Sequence, residues 1–525
     1  MKKVIVLFII AAVGISSCQK GFLSNLQNNP NSPTSSAATP QLVLPGTLTS
    51  IINITNGTSY QSEAAWMGYW NYAPGYSFVS SVQNYVLSSG GPEHWDDYYG
   101  VLANLNFIIS ETSDPKQANY NAIANILEAV CFKGLVDNYN NVPYTQALKG
   151  SGNFSPSYDN GSDIYDSLVA KLDAAISSIQ ANLGNSDVSV PASDDIMFTG
   201  NMNQWLVLAN TIKLKLLVQE AAVTSKAAYL SSEAASTASV GYLTSDALVN
   251  PGYSASQPSP MWGGFGVTPS GAIAGSFTFI VGNETAIDFY KQSNDPRLGY
   301  FYCQRGQNPT NPSYSTVSLP LTNNDYLANY LGSQNSLPAP GGSGIGPGLA
   351  QGPTQSAVFM LAAESYFIQA EATVRGWLAG GASAAQTLYQ KGITASFEYL
   401  NVGGSTASAD TYAATYYGQA NTSFVTFPTS ASSDSLIHTI ITQKWAALNG
   451  ISTVEAFNDW RRTFDPNMDS GYPIVPVSIS PSNVAPHAPF RYFYPTEEST
   501  SNGAAWKAAG GPTIDVFNDK IFWMP

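Results

Sequence analysis

The sequence predicts a mostly α-helical protein built from tetratricopeptide-like helix pairs and long irregular loop regions. Two observations carry this. Apolar residues recur at helical spacing in six separate segments, and small residues recur on the faces of neighbouring segments. Two further stretches are rich in Gly, Pro, Ser, Asn and aromatics and have no period.

The first helix is expected over 119–137. The second is expected over 162–181, with Ile164, Leu168, Leu172, Ala175, Ile176 and Ile179 on one side and Ser162 as N-cap. The third, 202–222, aligns Trp205, Leu208, Ala209, Ile212, Leu216 and Leu217. The fourth, 355–375, stops at Gly376. The fifth spans 383–400, and the sixth, 434–448, stops at Asn449-Gly450. Short connections and the small residues Ala363, Ala370, Ala372, Ala384 and Ala385 suit closely packed pairs. A loop-rich insertion is expected at about 224–353, and 464–525 reads similarly. Their aromatics argue against wholesale disorder.

The chain opens on Lys2 and Lys3, then an apolar run from Val4 to Ile15, then Ser16-Ser17-Cys18. A run this short does not cross a bilayer, which needs about 20 residues. It reads as a signal peptide over 1–17 with cleavage before Cys18 and lipidation there; an ordinary cleaved signal preceding a cysteine is the alternative. Residues 18–40 read as the lipidated cysteine and a flexible tether. Residues 41–525 read as one domain.

Only 11% of residues are charged, hydrophobic residues make up 44%, and the formal charge is −14. An acidic chain without a basic run is a poor partner for nucleic acid. A neutral-polar, aromatic-rich surface suits uncharged hydroxylated ligands, and equally the surface of any exported protein. Besides Cys18 there are Cys131, expected as an inert core thiol, and Cys303; no disulfide framework or zinc spacing is present. The histidines are His94, His438 and His487. No metal motif, nucleophile elbow or phosphate loop occurs, and no cofactor is called for.

Two aromatic sets are candidates for ligand contact. One is Trp66, Tyr69, Trp70, Tyr72, Tyr76 and Phe78; the other is Tyr253, Trp262 and Phe265. Their rings could stack on apolar faces of sugars or side chains. Trp66 and Trp70, four apart, read equally well as a helical core stripe. Glu364 and Glu371 share a helix face about 10.5 Å apart along the axis, a poor fit to the ~5–9.5 Å between glycosidase carboxylates. They read as structural partners of Lys444, Arg461 or Arg462.

Taken in order, several fragments resemble the SusD/RagB family of surface lipoproteins, in its SusD-like branch. They begin with Asn28-Asn29-Pro30-Asn31-Ser32-Pro33, then Phe132 to Tyr139 followed by Val142-Pro143-Tyr144, with Asn140-Asn141 in place of the usual Gly-Asp. Phe154 to Asp159 with Ile164-Tyr165, Gly200-Asn201 with Trp205, and Lys213-Leu214-Lys215 follow. Next come Asp295-Pro296-Arg297-Leu298, Ala363-Glu364 with Ala370-Glu371-Ala372, and Gln443 to Leu448. Glu455-Ala456, Asp459-Trp460-Arg461-Arg462, Pro489 to Tyr492 and Tyr494-Pro495 close the series.

The resemblance implies a SusD-like α-α fold whose loops form the ligand face, anchored by lipid on the extracellular face of the outer membrane. It implies a binding protein with no catalytic step. Such proteins cap a TonB-dependent outer-membrane β-barrel transporter (SusC-like) and pass it oligosaccharide or, in some members, peptide. In starch-binding members sugar-stacking aromatics come from a position comparable to Trp66, Trp70, Tyr72 and Tyr76. A lipid-anchored glycan hydrolase and a non-binding scaffold are the competing readings.

Overall fold

The computed structural model describes residues 38–525 except 57, 74, 75, 77–79, 91–93 and 334. Cys18, the signal segment, most of the tether and Phe78 lie outside the described residues.

The longer helices are α1 (Pro40–Thr55), α2 (Trp95–Glu111), α3 (Ala118–Tyr139), α4 (Gly161–Asn182), α5 (Met202–Gln219), α6 (Ala227–Thr237), α7 (Glu284–Gln292), α8 (Ala362–Val374), α9 (Gly381–Tyr399), α10 (Thr406–Tyr417), α11 (Ser433–Leu448) and α12 (Thr453–Arg462). Strands β1 (Trp70–Tyr72) and β3 (Ile280–Gly282) pair antiparallel, as do β2 (Ala247–Val249) and β4 (Ala357–Met360). The protein is therefore mostly α, as expected.

Helices α1 to α6 pack each on the next, and α8, α9 and α10 do the same; α11 lies on α8 and α12 on α11. The halves meet where α5 contacts α8 and α12. Ala363, Ala370, Ala372 and Ala385 are buried at these contacts. Asn201, Asn283, Ser405 and Ser432 cap α5, α7, α10 and α11 by accepting from backbone N–H groups of the first turn.

Two local expectations are corrected. The fourth predicted helix, 355–375, is a strand followed by a helix: Ala357–Met360 pairs with β2, and α8 begins at Ala362, whose N–H donates to Asp246 at 2.8 Å. The N-cap of α4 is Asn160, not Ser162, since the Asn160 side chain accepts from the Ser162 N–H at 3.1 Å. The stretch 224–353 is loop-rich, with α6, β2, β3, α7 and shorter helices set among its loops.

Cys131 and Cys303 are both buried and free. Burial pushes the Cys131 thiol up, with Glu128 adding to it, and pushes the Cys303 thiol up to about 12. Both stay protonated and unreactive at neutral pH.

The interior carries an alternating chain of charges. Asp137 meets Lys133 at 2.6 Å, and Lys133 meets Glu455 at 3.0 Å. Glu455 meets Lys215 at 2.9 Å, and Lys215 meets Glu364 at 2.7 Å. Lys444 sits 3.8 Å from Glu364 and 3.0 Å from Asp459. Arg462 joins Asp459 at 2.8 Å to Glu371 at 2.6 Å, and Arg375 completes the row at 2.7 Å from Glu371. Five carboxylates and five cations from α3, α5, α8, α11 and α12, with Arg375 just past α8, thus neutralise one another. The glutamates are structural, as expected. Arg461 is not their partner: it donates to the carbonyls of Asp137 and Phe490 at 2.7 and 2.8 Å.

Burial alone would raise the Glu371 and Glu455 carboxyls. Arg462 and Arg375 outweigh it at Glu371 and hold it at about 2; Lys133, Lys215 and Lys444 hold Glu455 well below the carboxylate range. A depressed carboxyl contributes stability above its ordinary pKa of 4.5 and loses it as pH falls through the folded value of about 2. Glu371→Gln should therefore lower stability by about 3 kcal/mol at neutral pH. Urea midpoints of variant and wild type should converge as pH falls below ~4.5; a gap independent of pH would contradict the assignment.

Candidate functional site

The two aromatic sets divide between core and surface. Trp66, Trp70 and Phe265 are 2%, 1% and 0% exposed, so the expectation that they contact ligand is corrected. Trp66 packs on Phe457, Tyr85 and Tyr492 and donates its Nε1–H to Val82 O at 3.1 Å. Trp70 meets the edge of Phe265 at 5.2 Å. Tyr69 is buried too, stacked on Trp445 at 5.1 Å. These rings hold the short segment before α2 against α11 and α12; they are core, but not as a helical stripe, because Trp66 ends a short helix and Trp70 lies on β1.

Strand pleating carries the row outward from there. Trp70 and Tyr72 share one face of β1. Tyr72 is half-buried and lies parallel to Phe279 at 6.5 Å, and Tyr76, 50% exposed, leans on the same ring at 5.9 Å. Tyr330 is also exposed, its hydroxyl 3.4 Å from Asp288.

Trp262 stands elsewhere, on a groove of about 670 Å³. The groove lies among the short helix Pro260–Phe265, the loop 309–319 and the connection from α9 to α10. Its walls include Trp262, Tyr300, Tyr314, Tyr412, Asn311, Ser315, Thr316, Gln351 and Asn401, and no charged side chain. Tyr253 is half-buried and does not line it.

Two of these rings lie against glycine backbone. A Cβ on Gly266 would sit 2.2 Å from the Trp262 indole, so the ring can rest there only because the residue is glycine. The Trp262 Nε1–H donates to Val267 O at 3.1 Å and fixes the ring's tilt. Gly403 has φ +78, and a Cβ there would meet the Tyr412 ring at 2.8 Å. The same glycine's N–H donates to the Tyr300 hydroxyl at 2.7 Å. Burial pushes the Tyr300 phenol up, so it stays protonated and keeps its own O–H to donate.

A second groove, about 460 Å³, is lined by Asn294, Asp295, Leu298, Asn323, Thr415, Tyr416 and Gln419, among others. Leu319 and Tyr412 border both grooves. The Asp295 carboxylate is taken up by Arg297 at 2.6 Å.

Neither groove brings together a catalytic carboxylate pair: Glu364 and Glu371 are locked into ion pairs inside the core. Among the described residues no group of His, Cys, Asp and Glu is placed to hold a metal, and no helix is long and apolar enough to cross a membrane.

Comparison with known proteins now decides the family. Residues 30–495 match the SusD-like family described as starch-binding and associating with the outer membrane. The chain belongs to this family. SusD-like proteins bind carbohydrate without chemistry of their own, so the chain is a binding protein and not an enzyme. The fold agrees with solved structures. A SusD homologue from Bacteroides fragilis NCTC 9343 is 23% identical, with 93% of this chain and 99% of that one aligned at a TM-score of 0.70. A chitin-binding SusD homologue from Flavobacterium johnsoniae is 23% identical over 91% of this chain and 98% of that one, at 0.69. A SusD-like protein from Bacteroides thetaiotaomicron is 21% identical over 92% and 98%, at 0.66. No match is found among curated proteins.

Of the groove rings, only Trp262 was singled out from sequence. Tyr300 follows the Asp295-Pro296-Arg297-Leu298 fragment, and Tyr412 sits in α10, which the sequence period does not reveal. The one available signal was the pair Gly403-Gly404 between two helices. Gly403→Ala should cost about 1 kcal/mol or more, from the positive φ and the displaced Tyr412 ring together. Denaturant unfolding measures it, and an unchanged midpoint would contradict the packing.

Proposed function

We propose that the protein captures neutral oligosaccharide at the cell surface and delivers it to a partner TonB-dependent outer-membrane transporter. The observation that carries this is the uncharged groove in which the Trp262 and Tyr412 rings rest on glycine backbone. Pyranose rings offer apolar C–H faces for such platforms and hydroxyls for the surrounding Asn, Gln, Ser, Thr and Tyr groups. The half-buried Tyr72 and Phe279 with the exposed Tyr76 offer a further stacking surface. The family's description as starch-binding and the chitin-binding relative both favour glycan over peptide, as does the lack of a charge to meet peptide termini. A hydrolase has no carboxylate pair to use here, and a scaffold needs no such groove.

In this reading residues 1–17 are the signal, Cys18 carries the lipid, 18–40 form the tether and 41–525 form the capturing body. The body rests on the transporter's outer face and swings on its tether as a lid. Stacking without ion pairs gives modest affinity and permits release.

Trp262→Ala should weaken oligosaccharide binding by about 2 kcal/mol without unfolding the protein; calorimetry showing unchanged affinity would remove the groove from the function. Cys18→Ala should shift the protein from the membrane to the soluble fraction of the native host. Full retention at the membrane would refute the lipid anchor.

A further inference from the structure

The two grooves are adjacent. The larger holds Trp262, Tyr300 and Tyr412; the smaller sets Asn294, Asn323 and Thr415 among leucine and proline side chains. Leu319 and Tyr412 belong to the walls of both, so no third element stands between them.

The saddle between them is braced from both sides. On one, Gly403 seats the Tyr412 ring. On the other, Arg297 is wholly buried and bonds Asp295, Gln443 at 2.9 Å and Ser396 at 3.0 Å. Its guanidinium lies 5.4 Å from the centre of the Tyr416 ring and 5.0 Å from that of Phe397. Asp295, Pro296 and Leu298 line the smaller groove while Arg297 pins them from beneath. The tetrapeptide that looks like a fold signature thus builds the floor of a surface cavity.

We infer that the two grooves form one two-lobed cleft for a linear neutral oligosaccharide, its chain crossing the Tyr412–Leu319 saddle. This rests on the capture reading above and adds a requirement for chain length and linearity. A short saccharide fills the ring-lined lobe alone. A longer chain places its next units in the smaller lobe at high effective concentration, because the first lobe already holds it. A branch at the saddle meets the Tyr412 ring and is excluded.

The test is calorimetric titration of the full chain with malto-oligosaccharides and chito-oligosaccharides from dimer to octamer. Affinity should rise at least tenfold from the shortest binding oligomer to the longest in one of the two series. The same titrations on Thr415→Trp, a bulky side chain at an exposed α10 position in the smaller lobe, should bring that ratio close to one. Asn323→Ala on another wall should reduce it in part. A wild-type ratio near one, or a ratio that survives Thr415→Trp, would overturn the two-lobed cleft and leave capture standing. Failure of every oligomer in both series to bind would overturn the capture reading and the cleft with it.

Discussion

Everything else in the molecule is hung on the buried row of ten charges between Asp137 and Arg375. Removing an ion from water costs several kcal/mol even after relaxation, and only close, fully paired geometry offsets that. Strict alternation along α3, α5, α8, α11 and α12 supplies such geometry. Its main effect is on register, because a helix that slid by one turn would leave a lone charge in the core. The helix pairs are ordinary packing modules, and the row fixes how they face one another.

That economy shapes the surface. The chain is poor in charge, and ten of its charged side chains are consumed inside. The outer loops must be solvated by amides, hydroxyls and phenols instead. A neutral groove with exposed ring faces is the natural product of such a surface, and aromatic platforms resting on glycine keep those rings from folding inward. The one carboxylate that lines either groove among the described residues, Asp295, is held by Arg297.

Periodicity made α3, α4, α5, α9 and α11 legible because each buries a broad apolar stripe. It missed α1, α2, α6, α7, α10 and α12. Of these, α1 carries Pro45 within a stretch of Thr and Ile, α10 is mostly Ala, Thr and Tyr, and the period of α12 is hidden by buried Asn458, Asp459, Arg461 and Arg462. The run before α8 deceived because Ala357–Met360 is short and apolar, and only its distant partner β2 makes it a strand. At the grooves, composition announces aromatics but not their direction. Trp66 and Trp262 are alike in sequence, yet one is clamped by Phe457 and Tyr492 and the other opens to solvent. Only tertiary packing separates the two, and the glycines that seat Trp262 and Tyr412 act through space rather than through pattern.

The surroundings of Asp137 have a bearing on biogenesis. Its carboxylate is met by Tyr165, by the Asn458 amide at 3.0 Å and by the Trp523 indole N–H at 3.0 Å, the last 386 residues away along the chain. Helix α3 therefore depends on a segment 386 residues further along before its acid is fully solvated by protein. Such long loop closures make consolidation slow. They tie the final locking of the helix array to residues far along the chain, so the buried acid is the last group in its neighbourhood to be satisfied.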